Sequence, residues 1–129
     1  MTERGLADTS VFIAREARRP IDIGSMPDHL AVSVVTIGEL RAGVLAATDT
    51  IVRDRRLDTL TAALSLEPVP IDVEVANAWA RLRLALRDAG LRMPVNDSWI
   101  AATAMALDVA IVTQDDDFPA LEGLRVISV

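Results

Sequence analysis

Short apolar runs alternate along this chain with longer segments of helical periodicity. The strand-like runs lie at residues 5–7, 31–35, 110–113 and 125–129. Between them, apolar side chains recur at three- and four-residue steps, as they do from Val75 to Leu86. Strands that are separated by helices favour a parallel sheet covered by helices. We therefore predict an α/β fold with a short central parallel sheet flanked by helices, formed by residues 1–129 as one domain.

Capping residues and prolines predict where several elements begin and end. Thr36 is expected to cap the helix after the second strand, whose apolar face would carry Ile37, Leu40, Val44 and Leu45. The other expected boundaries are a helix cap at Asp49 or Thr50, a long helix from Asp72 to Gly90, a helix that opens at Asn96–Asp97, and an edge strand at Pro68–Ile71.

The side chains available for chemistry are restricted. The sequence contains no Cys and no Lys, and His29 is its only histidine. These absences exclude thiol nucleophiles, zinc sites built on Cys or on several His, the phosphate-binding GK[ST] loop and Ser–Lys nucleophiles. Carboxylates, hydroxyls and arginines remain.

The overall charge is acidic, with 19 Asp and Glu against 13 basic residues and a net charge of -6. Nucleic-acid binders are usually basic, and four aromatic residues are too few for an extended base-stacking platform. No apolar stretch is long enough to span a bilayer, so we expect no membrane association and a cytoplasmic protein.

Two carboxylates follow predicted strands directly. Asp8 comes after the first strand, and Asp115 comes after the strand at 110–113. Ligand sites of parallel sheets gather at the carboxyl ends of the strands, so these two side chains are candidate site residues. For Asp8, capping of the next helix is the structural alternative.

Two further carboxylates lie in or beside apolar helical stretches. Glu39 is close to the buried side of its helix, where the structural alternative is an ion pair with Arg41 or Arg53. Asp97 lies at a helix start, where a carboxylate also stabilises the first turn.

The run Asp115-Asp116-Asp117 places three mutually repelling carboxylates at a turn. A cation would relieve this repulsion, and oxygen ligands without His or Cys suit Mg²⁺ or Mn²⁺ better than zinc. The run lacks the residue spacing of an EF-hand calcium loop.

The order of these motifs resembles that of the PIN-domain ribonucleases and, among them, the VapC toxins of bacterial toxin–antitoxin pairs. The resemblance extends over essentially the whole chain and is carried by residues 6–13 (LADTSVFI), 33–43 (SVVTIGELRAG), 95–104 (VNDSWIAATA) and 112–118 (VTQDDDF).

This resemblance implies a set of site residues. It makes Asp8, Glu39, Asp97 and Asp115 the acidic quartet, with Asp117 as an auxiliary fifth acid and Ser10 and Thr113 as supporting hydroxyls. Asp8, Asp97 and Asp115 would bind Mg²⁺, for which Mn²⁺ can substitute, and Glu39 would orient or deprotonate the attacking water. Thr9, Asn96 and Asp116 match variable positions and are assigned no catalytic role.

The resemblance also implies an activity and partners. We expect a magnesium-dependent endoribonuclease toxin that forms a homodimer and is inhibited by a VapB-type antitoxin, docked along Val44, Leu45 and the Ile51–Leu64 helix.

The arginines Arg15, Arg18 and Arg19 would hold the RNA backbone unless they form only a solvated helix end. Trp79 and Trp99 are expected in the core or an interface. The alternatives are a catalytically idle binding module and a nuclease that acts on DNA.

Overall fold

A computed structural model of the protein describes residues 3–129. Its sheet contains four parallel strands in the order β2-β1-β3-β4. The strands are β1 (Arg4–Ala7), β2 (His29–Ala31), β3 (Ala110–Thr113) and β4 (Val126–Ser128). The prediction of an α/β fold with a short parallel sheet between helices is confirmed.

Five α-helices accompany this sheet in the described residues. They are α1 (Thr9–Glu16), α2 (Val34–Ala46), α3 (Thr50–Leu64), α4 (Val73–Ala89) and α5 (Val95–Leu107). A single turn of 3₁₀ helix, Ile23–Ser25, interrupts the proline-containing loop before β2. No helix within residues 3–129 is both long enough and apolar enough to cross a membrane.

The core has two parts, and β1 separates them. Leu6 packs in the cluster formed largely by α4 and α5, whereas its neighbour Ala7 packs in the cluster of α1, α2 and α3. Successive side chains of a strand point to opposite faces, so one central strand contributes to both clusters. The buried β1 and β3 therefore provide a rigid base for the residues that follow them.

The start of α2 differs from the prediction. The expected strand at 31–35 ends at Ala31, and the helix begins at Val34 because the side chain of Ser33 accepts the backbone N–H of Val35 as an N-cap. Thr36 is not the cap; it lies inside the helix and is fully buried.

The predicted apolar face of α2 also needs correction. Leu40 and Val44, four residues apart, are buried, but Leu45 is 74% exposed. Leu45 lies about 100° further round the helix than Val44, which takes it off the buried face.

Several other boundaries agree with the sequence. Asp49 and Asp72 cap α3 and α4 through their side chains, and Gly90 ends α4 in the left-handed conformation. Val69 makes an isolated parallel bridge to Ser33, which confirms an extended segment beside the edge strand β2. The helix α5 begins at Val95, one residue before the predicted start.

Candidate metal-dependent active site

The carboxyl ends of β1 and β3 lie side by side. The strands pair in parallel, and the backbone N–H of Asp8 extends the ladder by donating to the carbonyl of Val112 at 2.8 Å. Asp8 follows β1 immediately, and Asp115 comes two residues after β3. Both carboxylates are therefore at the same edge of the sheet, as the predicted strands indicated.

Asp8 is a buried carboxylate with hydroxyl partners. Its side chain is 2% exposed, and its Oδ2 accepts hydrogen bonds from Ser10 Oγ at 2.7 Å and Thr113 Oγ1 at 3.0 Å. Asp8 occupies the N-cap position of α1 but makes no side-chain capping bond. Capping therefore does not explain this acid; the hydroxyl bonds offset the cost of burying it.

The same two hydroxyls also hold the turn after β3. Ser10 Oγ accepts the backbone N–H of Gln114, and Thr113 Oγ1 accepts the backbone N–H of Asp115, both at 3.0 Å. Each hydroxyl thus accepts from the turn while donating to Asp8. This arrangement fixes the main chain of Asp115 relative to the carboxylate of Asp8.

Glu39 reaches the site from α2. Its Oε1 accepts a hydrogen bond from Thr9 Oγ1 at 2.9 Å, and Thr9 Oγ1 lies 2.8 Å from Thr36 Oγ1. The expected alternative, an ion pair with an arginine, is wrong for the described residues, whose ion pairs are Arg87–Asp88 and Arg125–Asp108. The guanidinium of Arg53 instead donates to the carbonyl of Ala47.

Asp97 lies in the first turn of α5, where the N-cap position is taken by Pro94. Partial burial, together with the negative charges of Asp8, Asp117, Glu39 and Asp115 in that order of importance, raises the pKa of Asp97 to about 6. The first turn of a helix favours a carboxylate. The raised pKa indicates that desolvation, together with repulsion from four nearby acids, outweighs the stabilisation that the helix N-terminus gives to a carboxylate.

Asp115 shows the same crowding. Although Asp115 is exposed, partial desolvation raises its pKa above the ordinary value, as do the charges of Asp8, Asp117 and Asp116, while the guanidinium of Arg19 lowers it. Arg19 is thus the arginine of the predicted trio that lies near the acids. Arg15 instead shares a cavity of about 170 Å³ between α1 and α3 with Arg55.

Two polar side chains at this edge were not predicted as site residues. Thr9 was assigned no role, yet it bonds Glu39. Gln114 donates from Nε2 to the carbonyls of Pro20 at 2.8 Å and Val129 at 3.0 Å, tying the segment after Arg19 to the chain's last residue. Both residues lie inside motifs that carry the family resemblance, and their polar side chains were the one sequence signal that could have indicated a role.

The donor set suits a hard divalent cation. The acids offer only oxygen ligands, and a cation would reverse the repulsion that raises the pKa of Asp97. Within residues 3–129, however, no three His, Cys, Asp or Glu side chains stand close enough to hold a metal ion as a ready-made cluster. Mg²⁺ needs only one or two protein carboxylates, because it retains much of its water. The residues therefore fit an open, water-rich site rather than a closed cage.

The tryptophans pack against each other between α4 and α5. Trp79 of α4 and Trp99 of α5 stack in parallel with ring centroids 4.3 Å apart, and Trp79 Nε1 donates to Ser98 Oγ. Both rings are half-buried against the larger core cluster. They join two helices, as expected for core aromatics rather than base-stacking groups.

Comparisons with known proteins agree with this architecture. The sequence matches the PIN domain family over residues 6–124. It is 52% identical to Ribonuclease VapC4 of Mycobacterium tuberculosis, with 98% of this chain and 97% of that protein aligned. It is 47% identical to Ribonuclease VapC5 of the same organism, over 97% of this chain and 93% of the relative.

A solved structure supports the same assignment. The chain superposes on a member of the VapBC family of toxin–antitoxin systems, VapBC-5 from M. tuberculosis, with a TM-score of 0.89 and 45% identity, covering 98% of each chain. The structure of VapBC2 from Rickettsia felis, bound to a DNA fragment from its promoter, shares the fold with a TM-score of 0.81 at 20% identity. The chain belongs to the PIN-domain family and, within it, to the VapC ribonucleases, which depend on a divalent metal ion.

Proposed function

We propose that this chain is a magnesium-dependent endoribonuclease toxin that hydrolyses phosphodiester bonds in cellular RNA. The observation that carries the proposal is the crowding of Asp97 by Asp8, Asp117, Glu39 and Asp115: burial together with these four charges raises the pKa of Asp97 to about 6. Acidic side chains repel phosphate, so this arrangement suits RNA cleavage only with a bound cation.

The quartet divides into ligands and a water-directing group. Asp8 and Asp97 are proposed as direct ligands of Mg²⁺ or Mn²⁺, with Asp115 completing the set and Asp117 adding charge nearby. When bound, the divalent ion lowers the pKa of water and neutralises charge on the phosphate. Glu39 then orients the attacking water and accepts its proton, while Ser10 and Thr113 keep Asp8 and the Asp115 turn in place.

Arginine supplies the remaining positive charge near the acids. Arg19 already interacts with Asp115, and Gln114 fixes the carbonyl of the next residue, Pro20. An exposed guanidinium near the acids can bind a phosphate oxygen of the flanking RNA. Arg18 belongs to the same proposed backbone contact, whereas Arg15 lines the cavity between α1 and α3.

An RNA cleavage assay tests this function. The purified chain is incubated with a mixed pool of structured RNAs in Mg²⁺, in Mn²⁺ or in excess EDTA, and single-stranded DNA is offered in parallel. We expect RNA cleavage with either metal and none with EDTA. Cleavage of DNA alone would favour the DNA nuclease, and no cleavage of either would favour the idle binding module.

A VapB-type antitoxin is the proposed protein partner. Solved relatives are VapBC complexes, and a cavity of about 410 Å³ between α1, α2 and α3 opens beside Glu39. Of the predicted docking residues, Leu45 and Ile51 are 74% and 72% exposed, whereas Val44 is buried and cannot take part as predicted. An antitoxin tail would place apolar residues on Leu45 and Ile51 and an Arg or Lys among the acids.

Co-expression tests this pairing. The reading frame beside this one is expected to encode a short protein with a DNA-binding N-terminus and a basic residue in its C-terminal tail. Co-expression should suppress toxicity, and replacing that basic residue should weaken inhibition more than binding. A bound tail that leaves all four acids accessible would contradict this mode of inhibition.

The assembly and location remain part of the proposal. We propose one PIN domain over residues 1–129, paired with a second copy and acting in the cytoplasm on RNA. Sedimentation of the purified chain at several concentrations tests the homodimer, because a self-association equilibrium shifts with concentration.

A further inference from the structure

We propose that Thr9 is a positioning residue for Glu39: its hydroxyl, itself oriented by Thr36, holds the carboxylate of Glu39 at a fixed place relative to Asp8. This inference rests on the proposed function, in which Glu39 directs the attacking water. It gives a role to a position that the family resemblance left unassigned.

The hydrogen-bond directions follow from counting protons. Thr9 Oγ1 carries one proton and donates it to Glu39 Oε1 at 2.9 Å. The 2.8 Å contact between Thr9 Oγ1 and Thr36 Oγ1 therefore needs Thr36 as the donor. The result is a directed chain from Thr36 to Thr9 to Glu39, in which each hydroxyl polarises the next.

The two threonines of this hydrogen-bond chain are both anchored in the fold. Thr36 is fully buried in α2, three residues before Glu39, so its hydroxyl has a defined place in the core. Thr9 is the first residue of α1 and directly follows Asp8, whose carboxylate is held by Ser10 and Thr113. The Thr9 hydroxyl therefore connects the two acids across two separate helices.

Without this hydroxyl, Glu39 gains freedom. Its side chain is half-exposed and borders the 410 Å³ cavity that Thr9 also lines, so other rotamers have space. A misplaced general base slows the chemical step, whereas RNA binding by more distant groups is retained. We therefore expect kcat to fall about 10- to 100-fold in Thr9→Val, with KM nearly unchanged.

The experiment compares variants that differ only in a hydroxyl group. Thr9→Val keeps the shape but removes the donor, and Thr9→Ser restores the donor and should recover most of kcat. Thr61→Val is the matched control, since Thr61 is an exposed helical threonine that bonds only the carbonyl of Leu57. Thr36→Val removes only the donor that orients Thr9, so it should lower kcat less than Thr9→Val does, because the Thr9–Glu39 bond can still form. Thermal melts accompany every rate.

A double-mutant cycle with Glu39→Gln gives the decisive outcome. If Thr9 acts through Glu39, adding Thr9→Val to Glu39→Gln should cause little further loss, measured by single-turnover cleavage with excess enzyme. Equal losses in both backgrounds, or a Thr36→Val enzyme as slow as Thr9→Val, would overturn the inference. Full activity of Thr9→Val beside an inactive Glu39→Gln would also overturn it and would leave the proposed function standing. Full activity of Glu39→Gln would instead refute the proposed role of that acid.

Discussion

The two halves of the acidic edge are held in different ways. Around Asp8, two hydroxyls donate to one carboxylate oxygen, and both accept backbone N–H groups from the turn that carries Asp115. Asp97 instead is partly buried near four other carboxylates, and desolvation together with their charges raises its pKa to about 6. The half around Asp8 is thus organised by hydrogen bonds without a cation. The half around Asp97 is destabilised as long as no cation is bound.

This difference explains how an acidic edge can be both stable and ready for a metal. Buried, fully bonded carboxylates keep their place at low cost, whereas crowded ones raise the free energy of the metal-free protein. The hydrogen-bonded half therefore gives the ligands a fixed geometry, and the crowded half increases the affinity for a metal ion.

The largest effect is expected from removing a proposed ligand in either half. Asp8→Asn or Asp97→Asn should lower the cleavage rate at least about 100-fold, because carboxylate-bound metal contributes several kcal/mol to such reactions. Cleavage of a labelled RNA in Mg²⁺ measures the loss. Asp116→Asn, an exposed neighbour in the acidic run, is the control and should remain active. Full activity of either ligand variant would refute its assignment.

Metal binding should stabilise the wild-type protein. At a concentration of about 100 Kd, Mg²⁺ adds about 2.7 kcal/mol to the free energy of unfolding, which is about 10 °C in Tm for a chain of this length. The shift should shrink strongly in Asp97→Asn and in Asp8→Asn. Differential scanning fluorimetry measures it, and an equal rise in wild type and variants would indicate a non-specific salt effect.

Loss of a hydroxyl from the hydrogen-bonded half should cost stability. Thr113→Val removes a fully buried donor to Asp8 and the acceptor of Asp115 N–H, so we expect the free energy of unfolding to fall by about 1–3 kcal/mol. Thr103→Val is a matched control, since Thr103 is equally buried but bonds only the carbonyl of Trp99 in its own helix. Urea unfolding compares the two. A larger loss in Thr103→Val would contradict the role given to Thr113.

The smallest effect concerns pH and the crowded half. Because the pKa of Asp97 is about 6 in the folded protein and 3.8 ordinarily, the folded state binds the proton more tightly. The metal-free protein should therefore lose stability as pH rises from about 4 to about 6, and the loss should level off above that range. Asp97→Asn should remove part of this loss. Urea unfolding in EDTA across the range measures it; identical pH profiles of variant and wild type would contradict the assigned crowding.

The position of the site followed from the sequence more readily than its details. Asp8 and Asp115 each follow an apolar strand, so the rule for parallel sheets placed them at one edge. The order β2-β1-β3-β4 depends on pairing between distant segments, which no local pattern encodes. The hydroxyl chain from Thr36 to Glu39 through Thr9 joins residues on different helices, and for the same reason the sequence alone did not reveal it.

The errors in predicting the start and the buried face of α2 have local causes. The β-branched residues before Thr36 favoured a strand, but the side chain of Ser33 caps the backbone, so α2 begins three residues earlier than a cap at Thr36 allows. Leu45 fits a helical repeat but lies beyond the face that packs against the core. The periodicity of apolar residues identifies a helix more reliably than it identifies which residues border its buried face.

Anomalous diffraction from crystals of the protein soaked in Mn²⁺ tests the central claim most directly. We predict a peak at about 2.0–2.2 Å from a carboxylate oxygen of Asp8, with Asp97 and Asp115 drawn toward it and the bonds from Ser10 and Thr113 to Asp8 intact. A peak elsewhere on the protein, or no peak at a saturating Mn²⁺ concentration, would contradict the claim that this edge is a metal-dependent active site.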